Sequence, residues 1–504
     1  MEQLSGQDAQ FLYLESDSNP THMTSISIFD PAAAGPNKTI CFKDILQHVK
    51  SRLHMNPAFR RRLIRVPLEL DFPYWVDDNR FDIEYHVRHG RLPEPGDWRQ
   101  FCTHMGRYHS RPLDMSLPLW EMYVVEGLDN IKGLPKGCFA IATKIHHAAA
   151  DALSLSEFLV ALFDIDSVGT PARPLNSAKL NRSPTPSLLD MGVRAAWHTV
   201  RSPVGMIDAV MRAAPNLYKL AQDLLLSSSD QTYSVPDTRF NESVSSSKSF
   251  DAVDVALDDL KAIRRAVPGS TINDVVLAIC GGGLRKYLLH HGELPAEPLV
   301  AWVPINARPA MDDGGSGNKL TSMTVPIFTD VDKPIERLQR VLAATEQSKA
   351  AKAGVSARVM TDLSQHVPAA TQVLASRLVL RTGAAARMCN LFISNVPGPQ
   401  LPLYMDGAEQ IGFYGMAPLV NGMGLFIATP SYNGQISFSV TSTREVIPDM
   451  RFFIGCLEKS LSELKRAAKP RTPAKKRAKT AKKRRKVSGD RPAATDGHSP
   501  GVSG

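Results

Sequence analysis

Three features of this 504-residue chain predict an α/β fold with two core-forming units. β-like apolar runs alternate with stretches of helical spacing from about residue 10 to 164, and again beyond residue 250. Polar stretches rich in Pro, Ser and Asn, 165–188 and 227–249, interrupt that alternation. The length also exceeds what a single core usually organises. The division read from these signals is 1–180, a helical connection and linker over 181–249, a second unit over 250–467, and a tail from 468 to 504.

In the first unit, Thr24 to Phe29 alternates as a strand does, Phe42 to Leu53 has helical spacing, and Cys138 to Ile145 is β-rich. A helix is expected from Asp151 onward, with Leu155, Leu159 and Leu162 on one face. Residues 188–226 read as helices whose basic positions interrupt Met, Leu and Val. Core packing explains that pattern first, and a face resting on lipid explains it second. In the second unit, strands are expected at Leu299–Pro304, Thr321–Phe328, Leu391–Ser394, Leu425–Thr429 and Ile436–Thr441, with a last helix from Met450 to Arg466. Beyond Ala468 the chain has almost nothing larger than alanine to bury, and disorder is expected.

The formal charge of +9 is carried by that tail. Residues 465–504 hold fourteen Lys or Arg against two acids, which leaves the first 464 residues at −3. Lys482-Lys483-Arg484-Arg485-Lys486 suits the phosphates of an anionic membrane or a nucleic acid, and a plain solubilising tail is an equal reading. The six cysteines are scattered, without Cys-x-x-Cys and without histidines at ligand spacing, so neither a metal site nor a disulfide framework is expected. The start lacks the basic and apolar segments of a secretory signal, and no apolar run reaches the roughly 18 residues that a spanning helix needs. The expected setting is cytoplasmic, with any membrane met from the side.

The most informative feature is the run Lys144-Ile145-His146-His147-Ala148-Ala149-Ala150-Asp151. A strand delivers two imidazoles to a turn, and a carboxylate opens the next helix. Period two puts Phe139, Ile141, Thr143, Ile145 and His147 on one face and His146 on the other, provided that the strand persists to His147. Asp151 reads as a helix cap that could also orient an imidazole. The doublet His290-His291 lacks such support and reads as a surface helix end. Thr271-x-x-Asp274 reads as a reciprocal cap with Asn273 in the first turn, and Pro397-Gly398-Pro399 as a turn.

His146-His147-x-x-x-Asp151 resembles the His-His-x-x-x-Asp-Gly motif of the CoA-dependent acyltransferase superfamily, which includes chloramphenicol acetyltransferases and condensation domains. Ala152 stands where the superfamily usually has glycine. The opening Leu4-Ser5-Gly6-Gln7-Asp8, then Phe11-Leu12, Glu15 and Pro20-Thr21-His22, resembles the bacterial wax ester synthase/diacylglycerol acyltransferases. So do Pro118-Leu119-Trp120, Asn273-Asp274, Gly317-Asn318 and Asn395-Val396-Pro397-Gly398-Pro399, in that order. The resemblance covers about residues 4 to 465, and the basic tail lies outside it.

That resemblance implies two chloramphenicol-acetyltransferase-like domains, each a mixed sheet with flanking helices, with a channel between them. It implies acyl transfer from acyl-CoA, a co-substrate, to diacylglycerol or a long-chain alcohol, with no metal or resident cofactor. His147 would be the base, with His146 and Asp151 in the same motif. Pro118, Leu119, Trp120, Asn273, Asp274 and Asn318 would bind substrate or hold structure, and Trp120 reads first as a core anchor. Lipid inclusions or a membrane surface are the implied location. The alternatives are transfer to a secondary-metabolite or polyketide acceptor, and a catalytically weak protein that binds lipid droplets or polyanions.

Overall fold

The central strand of the first unit, β7 (Phe139–His146), is buried along its whole length, and its side chains alternate between two cores. Phe139, Ile141 and Ile145 pack with Ile45 and Val49 of helix α2 (Phe42–Arg52). Ala140 and Ala142 face Phe101 and Met105 of helix α4 (Trp98–Ser110). A sheet with helices on both faces needs such a strand, apolar on each side. The computed structural model describes residues 2–16, 18–35, 40–149, 161–169, 234–306, 320–352 and 388–469.

β7 lies between β2 (His22–Asp30) and β6 (Trp120–Glu126), antiparallel to both, and β5 (Val87–Arg91), which follows the short helix α3 (Ile83–His86), extends the sheet parallel to β6. Two strands from far along the chain, β12 (Tyr404–Met405) and β13 (Ala408–Met416), complete this six-stranded sheet, with β13 antiparallel to β2. Alternation in Thr24–Phe29 normally marks a strand with one wet face, but Ser25 and Ser27 are buried too. The cause is that β2 is an interior strand. A small antiparallel sheet of β1 (Glu2–Gln3), β3 (Arg61–Ile64) and β4 (Tyr74–Asp77) sits near the N-terminus, where α1 (Gly6–Tyr13) is capped by the Ser5 hydroxyl.

The second six-stranded sheet runs in the order β10 (Leu320–Pro326), β9 (Val300–Asn306), β11 (Leu391–Pro397), β14 (Leu425–Tyr432), β15 (Gln435–Thr443), β8 (Lys248–Ala256). The β9–β11 and β11–β14 pairings are parallel and the others antiparallel. The five strands and the last helix expected here are present. The boundary placed at 250 falls inside β8, whose first residues already contact α4.

Helix α4 is shared by the two sheets. Phe250 and Ala252 of β8 join its core, Trp98 Nε1 donates to Asp251 Oδ1 at 2.7 Å, and the Lys248 amide donates to Ser110 Oγ at 3.0 Å. A Cβ on Gly106 would stand 2.8 Å from the Lys248 carbonyl oxygen, so this crossing needs glycine. α4 also carries His109, whose Nδ1 accepts from the Thr24 hydroxyl (2.7 Å) while Nε2–H donates to the Ala417 carbonyl (3.2 Å). His22 Nε2–H donates to the His109 carbonyl at 2.7 Å. Both rings are buried, and burial followed by neighbouring positive charge pushes the His109 pKa down to about 3 and that of His22 well below its ordinary value.

Helices α5 (Leu257–Ala266), α6 (Ile272–His291), α7 (Pro334–Lys352) and α8 (Met450–Ala468) accompany the second sheet, with α6 central to its core. Its run Gly281-Gly282-Gly283 makes close packing possible. A Cβ on Gly281 would lie 2.1 Å from the Ile327 carbonyl oxygen, and one on Gly283 would lie 2.5 Å from Leu457 Cδ2. All six cysteines are free thiols.

Alanine at Gly281 would gain about 1 kcal/mol of helix propensity but collide with backbone, and overpacking of that kind typically costs about 1–3 kcal/mol. Gly281→Ala is therefore expected to be destabilised, read as a lower urea midpoint at unchanged slope. His109 yields a pH prediction. Its folded pKa lies below the unfolded value, so the stability from its neutral form is complete above about pH 6.5 and is lost as pH falls towards 3. Over that interval wild-type protein should lose more stability than His109→Gln, and parallel curves for the two would refute this.

Candidate active site

β7 ends at His146, and His147 begins a short 3₁₀ turn, His147–Ala149. The strand geometry thus stops one residue before the position at which period two assigned His147 a face. The turn is instead held by two backbone bonds to different strands. The His146 amide donates to the Leu119 carbonyl and the His147 amide to the Thr21 carbonyl, each at 3.0 Å. Leu119 leads into β6 and Thr21 into β2, so the doublet sits where three strands begin or end.

The His146 ring is fully buried, and both of its nitrogens are used. Nδ1 accepts the Ala148 amide at 3.0 Å. Nε2 lies 2.9 Å from the Thr21 hydroxyl and 3.3 Å from Glu15 Oε2. Because the Thr21 hydroxyl donates to the Phe11 carbonyl at 2.8 Å, it receives from the imidazole, which fixes the Nε2–H tautomer. His146 is a support with no spare nitrogen for a proton. His147 is half-buried, with Nδ1 against the protein, and its ring lies on the Phe11 ring at 3.7 Å between centroids and 11° between planes. An imidazole held by its backbone and by one ring face has a defined direction, which a general base requires.

Pro118-Leu119-Trp120 works as a unit at this turn. Leu119 gives its carbonyl to His146 and buries its side chain with Leu4, Leu12 and Ala148. Trp120 is buried against Phe59, Phe81 and His86, and its Nε1 donates to the Phe59 carbonyl at 3.0 Å. It is a core anchor. Lys144 extends the same support, with Nζ donating to the Arg111 carbonyl at 2.8 Å and lying 4.2 Å above the Tyr108 ring, while burial lowers its pKa to about 8.

The structure keeps Asn273 and Asp274 in a different role. Asp274 closes the cap of α6, its Oδ2 accepting from the Thr271 amide (2.7 Å) and hydroxyl (2.8 Å) and its Oδ1 from the Thr345 hydroxyl (2.8 Å). Asn273 is partly exposed in that first turn. Pro397 ends β11, and Gly398 then passes so near β14 that a Cβ would meet the Ser431 carbonyl oxygen at 2.2 Å. His290 and His291 end α6 before the left-handed Gly292, as a surface helix end. Asp151 with Ala152, Asn318, residues 188–226 and the basic tail lie outside the described residues. Among the described residues, no three His, Cys, Asp or Glu side chains are grouped to hold a metal ion.

Reading the sequence for chemistry did not single out Phe11, Glu15 and Thr21 as site residues. They were visible only as parts of the opening motif, and nothing local in residues 11–21 reveals that this stretch returns to the end of β7.

Residues 4–276 match the wax ester synthase/diacylglycerol acyltransferase catalytic domain, and residues 316–465 match the C-terminal domain of the same family. A probable diacylglycerol O-acyltransferase of Mycobacterium tuberculosis is 31% identical over 469 residues, 91% of this chain and 98% of the relative. A second, putative one from that organism is 32% identical over 472 residues, with the same shares of the two chains. The solved wax ester synthase/diacylglycerol acyltransferase from Marinobacter aquaeolei VT8 superposes with a TM-score of 0.65 at 25% identity, covering 92% of this chain and 99% of its own. The trichothecene 15-O-acetyltransferase of Fusarium sporotrichioides shares the fold at a TM-score of 0.55 and 11% identity, over 92% of this chain and 94% of its own. By its sequence in both halves and by its two-sheet fold, the chain belongs to the wax ester synthase/diacylglycerol acyltransferase family.

Proposed function

We propose that the protein joins the acyl group of a long-chain acyl-CoA to the hydroxyl of diacylglycerol, or of a long-chain alcohol, with His147 as general base. The observation that carries the assignment of the base is the division within the doublet. His146 spends both nitrogens on the fold, which leaves proton transfer to His147 at the same turn. The relatives named for diacylglycerol favour a neutral-lipid acceptor over a secondary metabolite.

In the proposed reaction, His147 takes the hydroxyl proton as the oxygen attacks the thioester carbonyl. The tetrahedral intermediate collapses with cleavage of the C–S bond, and the departing thiolate receives the proton from the imidazolium. The products are an ester and CoA, with no acyl-enzyme. An imidazole with an ordinary pKa of ~6.5 suits this transfer near neutrality, and such help is typically worth ~10²–10⁴ in rate. A thiolate leaves readily, so this step calls on no metal or resident cofactor. Asp151 is assigned an orienting or structural role by its place in the motif.

Such acceptors are insoluble in water, so the proposal places the enzyme on a lipid surface. Among the described residues no helix is long and apolar enough to cross a membrane. Residues 188–226 are the segment assigned to that surface, and the basic tail is assigned to anionic headgroups.

CoA release from palmitoyl-CoA should be stimulated by dipalmitoylglycerol or by hexadecanol, and His147→Ala should abolish it while the far-ultraviolet circular dichroism is unchanged. Retention of most activity in that variant would overturn the assignment of the base. Aspartate at both Leu224 and Leu225 should reduce partitioning onto triacylglycerol emulsions, and unaltered partitioning would remove 188–226 from the proposed contact. Truncation after Ala468 should leave catalysis intact and abolish binding to anionic vesicles; vesicle binding that persists would show that the tail is not the contact.

A further inference from the structure

Glu15 holds a carboxylate in a place that the proposed mechanism does not yet explain. Its side chain is only 13% exposed, and Oε2 lies 3.3 Å from His146 Nε2. Oε1 is buried and has no hydrogen-bond partner among the described residues. Among the described residues, the hydrogen-bond donor that faces this carboxylate is His146 Nε2–H, which it shares with Thr21. Taking a carboxylate out of water costs several kcal/mol unless a positive charge or several donors face it. A buried polar atom without a partner calls for an explanation, and a role in function is one of the few available.

The position of Glu15 supplies the explanation. It follows Phe11 by four residues, and the Phe11 ring lies on His147 while Glu15 lies on His146. One short segment therefore presents an aromatic face and a carboxylate to the two adjacent histidines. His147 is neutral at rest in the reaction proposed above and becomes an imidazolium when it takes the hydroxyl proton. A fixed negative charge held on the adjacent histidine in a buried setting stabilises that state more than the resting one.

We propose that Glu15 is a positioning residue for acyl transfer, whose charge, held through His146, favours the protonated state of His147. This rests on the reading of His147 as the base. The buried charge is then unfavourable to the resting fold and favourable to the transition state, a trade-off between stability and activity.

The test is Glu15→Gln, which keeps the shape and an acceptor for His146 but removes the charge. Glu15→Asp and His147→Ala run alongside, all assayed for CoA release with dipalmitoylglycerol. In Glu15→Gln, kcat should fall on the order of ten- to a hundredfold while KM for palmitoyl-CoA stays within about twofold. Its melting temperature should equal or exceed that of wild type, and Glu15→Asp should recover part of kcat. Wild-type kcat in Glu15→Gln overturns the proposal. So does a variant that melts lower or fails to fold, since that result makes Glu15 a structural residue. Activity retained in His147→Ala sinks the underlying assignment of the base, whereas loss there with a normal Glu15→Gln sinks only the role of Glu15.

Discussion

The pair of backbone bonds at the end of β7 is the constraint on which the site depends. The His146 and His147 amides are tied to carbonyls of Leu119 and Thr21, on opposite sides of the central strand. A general base must be placed to within a fraction of an ångström of its productive geometry, and side-chain packing alone seldom achieves this. Two main-chain bonds to two neighbouring strands fix the backbone of His147, the proposed base, so that it moves only if the sheet moves. Trp120 and Leu119 keep the β6 side in place by burial. On the β2 side, Thr21 uses its carbonyl for His147 and its hydroxyl for His146, so one residue fixes both members of the doublet.

The second half of the chain takes part in the same scaffold. Lys248, at the start of β8, donates from Nζ to the Ser245 carbonyl at 2.6 Å, the Ser18 carbonyl at 2.9 Å and Asn19 Oδ1 at 3.4 Å. Burial lowers its pKa to about 8, as expected for an ammonium held mainly by neutral oxygens. The loop that it grips runs from Glu15 to Thr21, both of which contact His146 Nε2. With α4 packed between the sheets and β13 added to the edge of β2, the second unit bears on the turn by three routes. Separation of the two units would therefore disturb the turn that carries His147.

The sequence made much of this legible. The five strands and the last helix expected in the second unit are present, because β-branched runs between polar breaks leave little alternative. Thr271-x-x-Asp274 was legible as a cap because capping is a local interaction, and the structure forms it with both reciprocal bonds. What resisted reading was long-range. No residue near Ala408–Met416 signals that this strand joins β2, almost 400 positions earlier, since pairing partners leave no mark in either segment. The His147 face was assigned on strand geometry that ends at His146. The turn is dictated by bonds to Thr21 and Leu119, and local periodicity carries no information about either.

The doublet is better understood as two residues with separate tasks than as a pair of equivalent bases. An imidazole at 146 offers an acceptor and a donor on opposite edges of one rigid ring. That matches a site with a backbone N–H at Ala148 on one side and oxygens of Thr21 and Glu15 on the other. The Nδ1–H tautomer would set its proton against the Ala148 amide proton, so the surroundings hold the ring in one tautomer and one orientation. A residue so completely engaged transmits the position of β2 to the turn. His147, held at the same turn by its amide and stacked on Phe11, is the member to which the proposed reaction gives the proton.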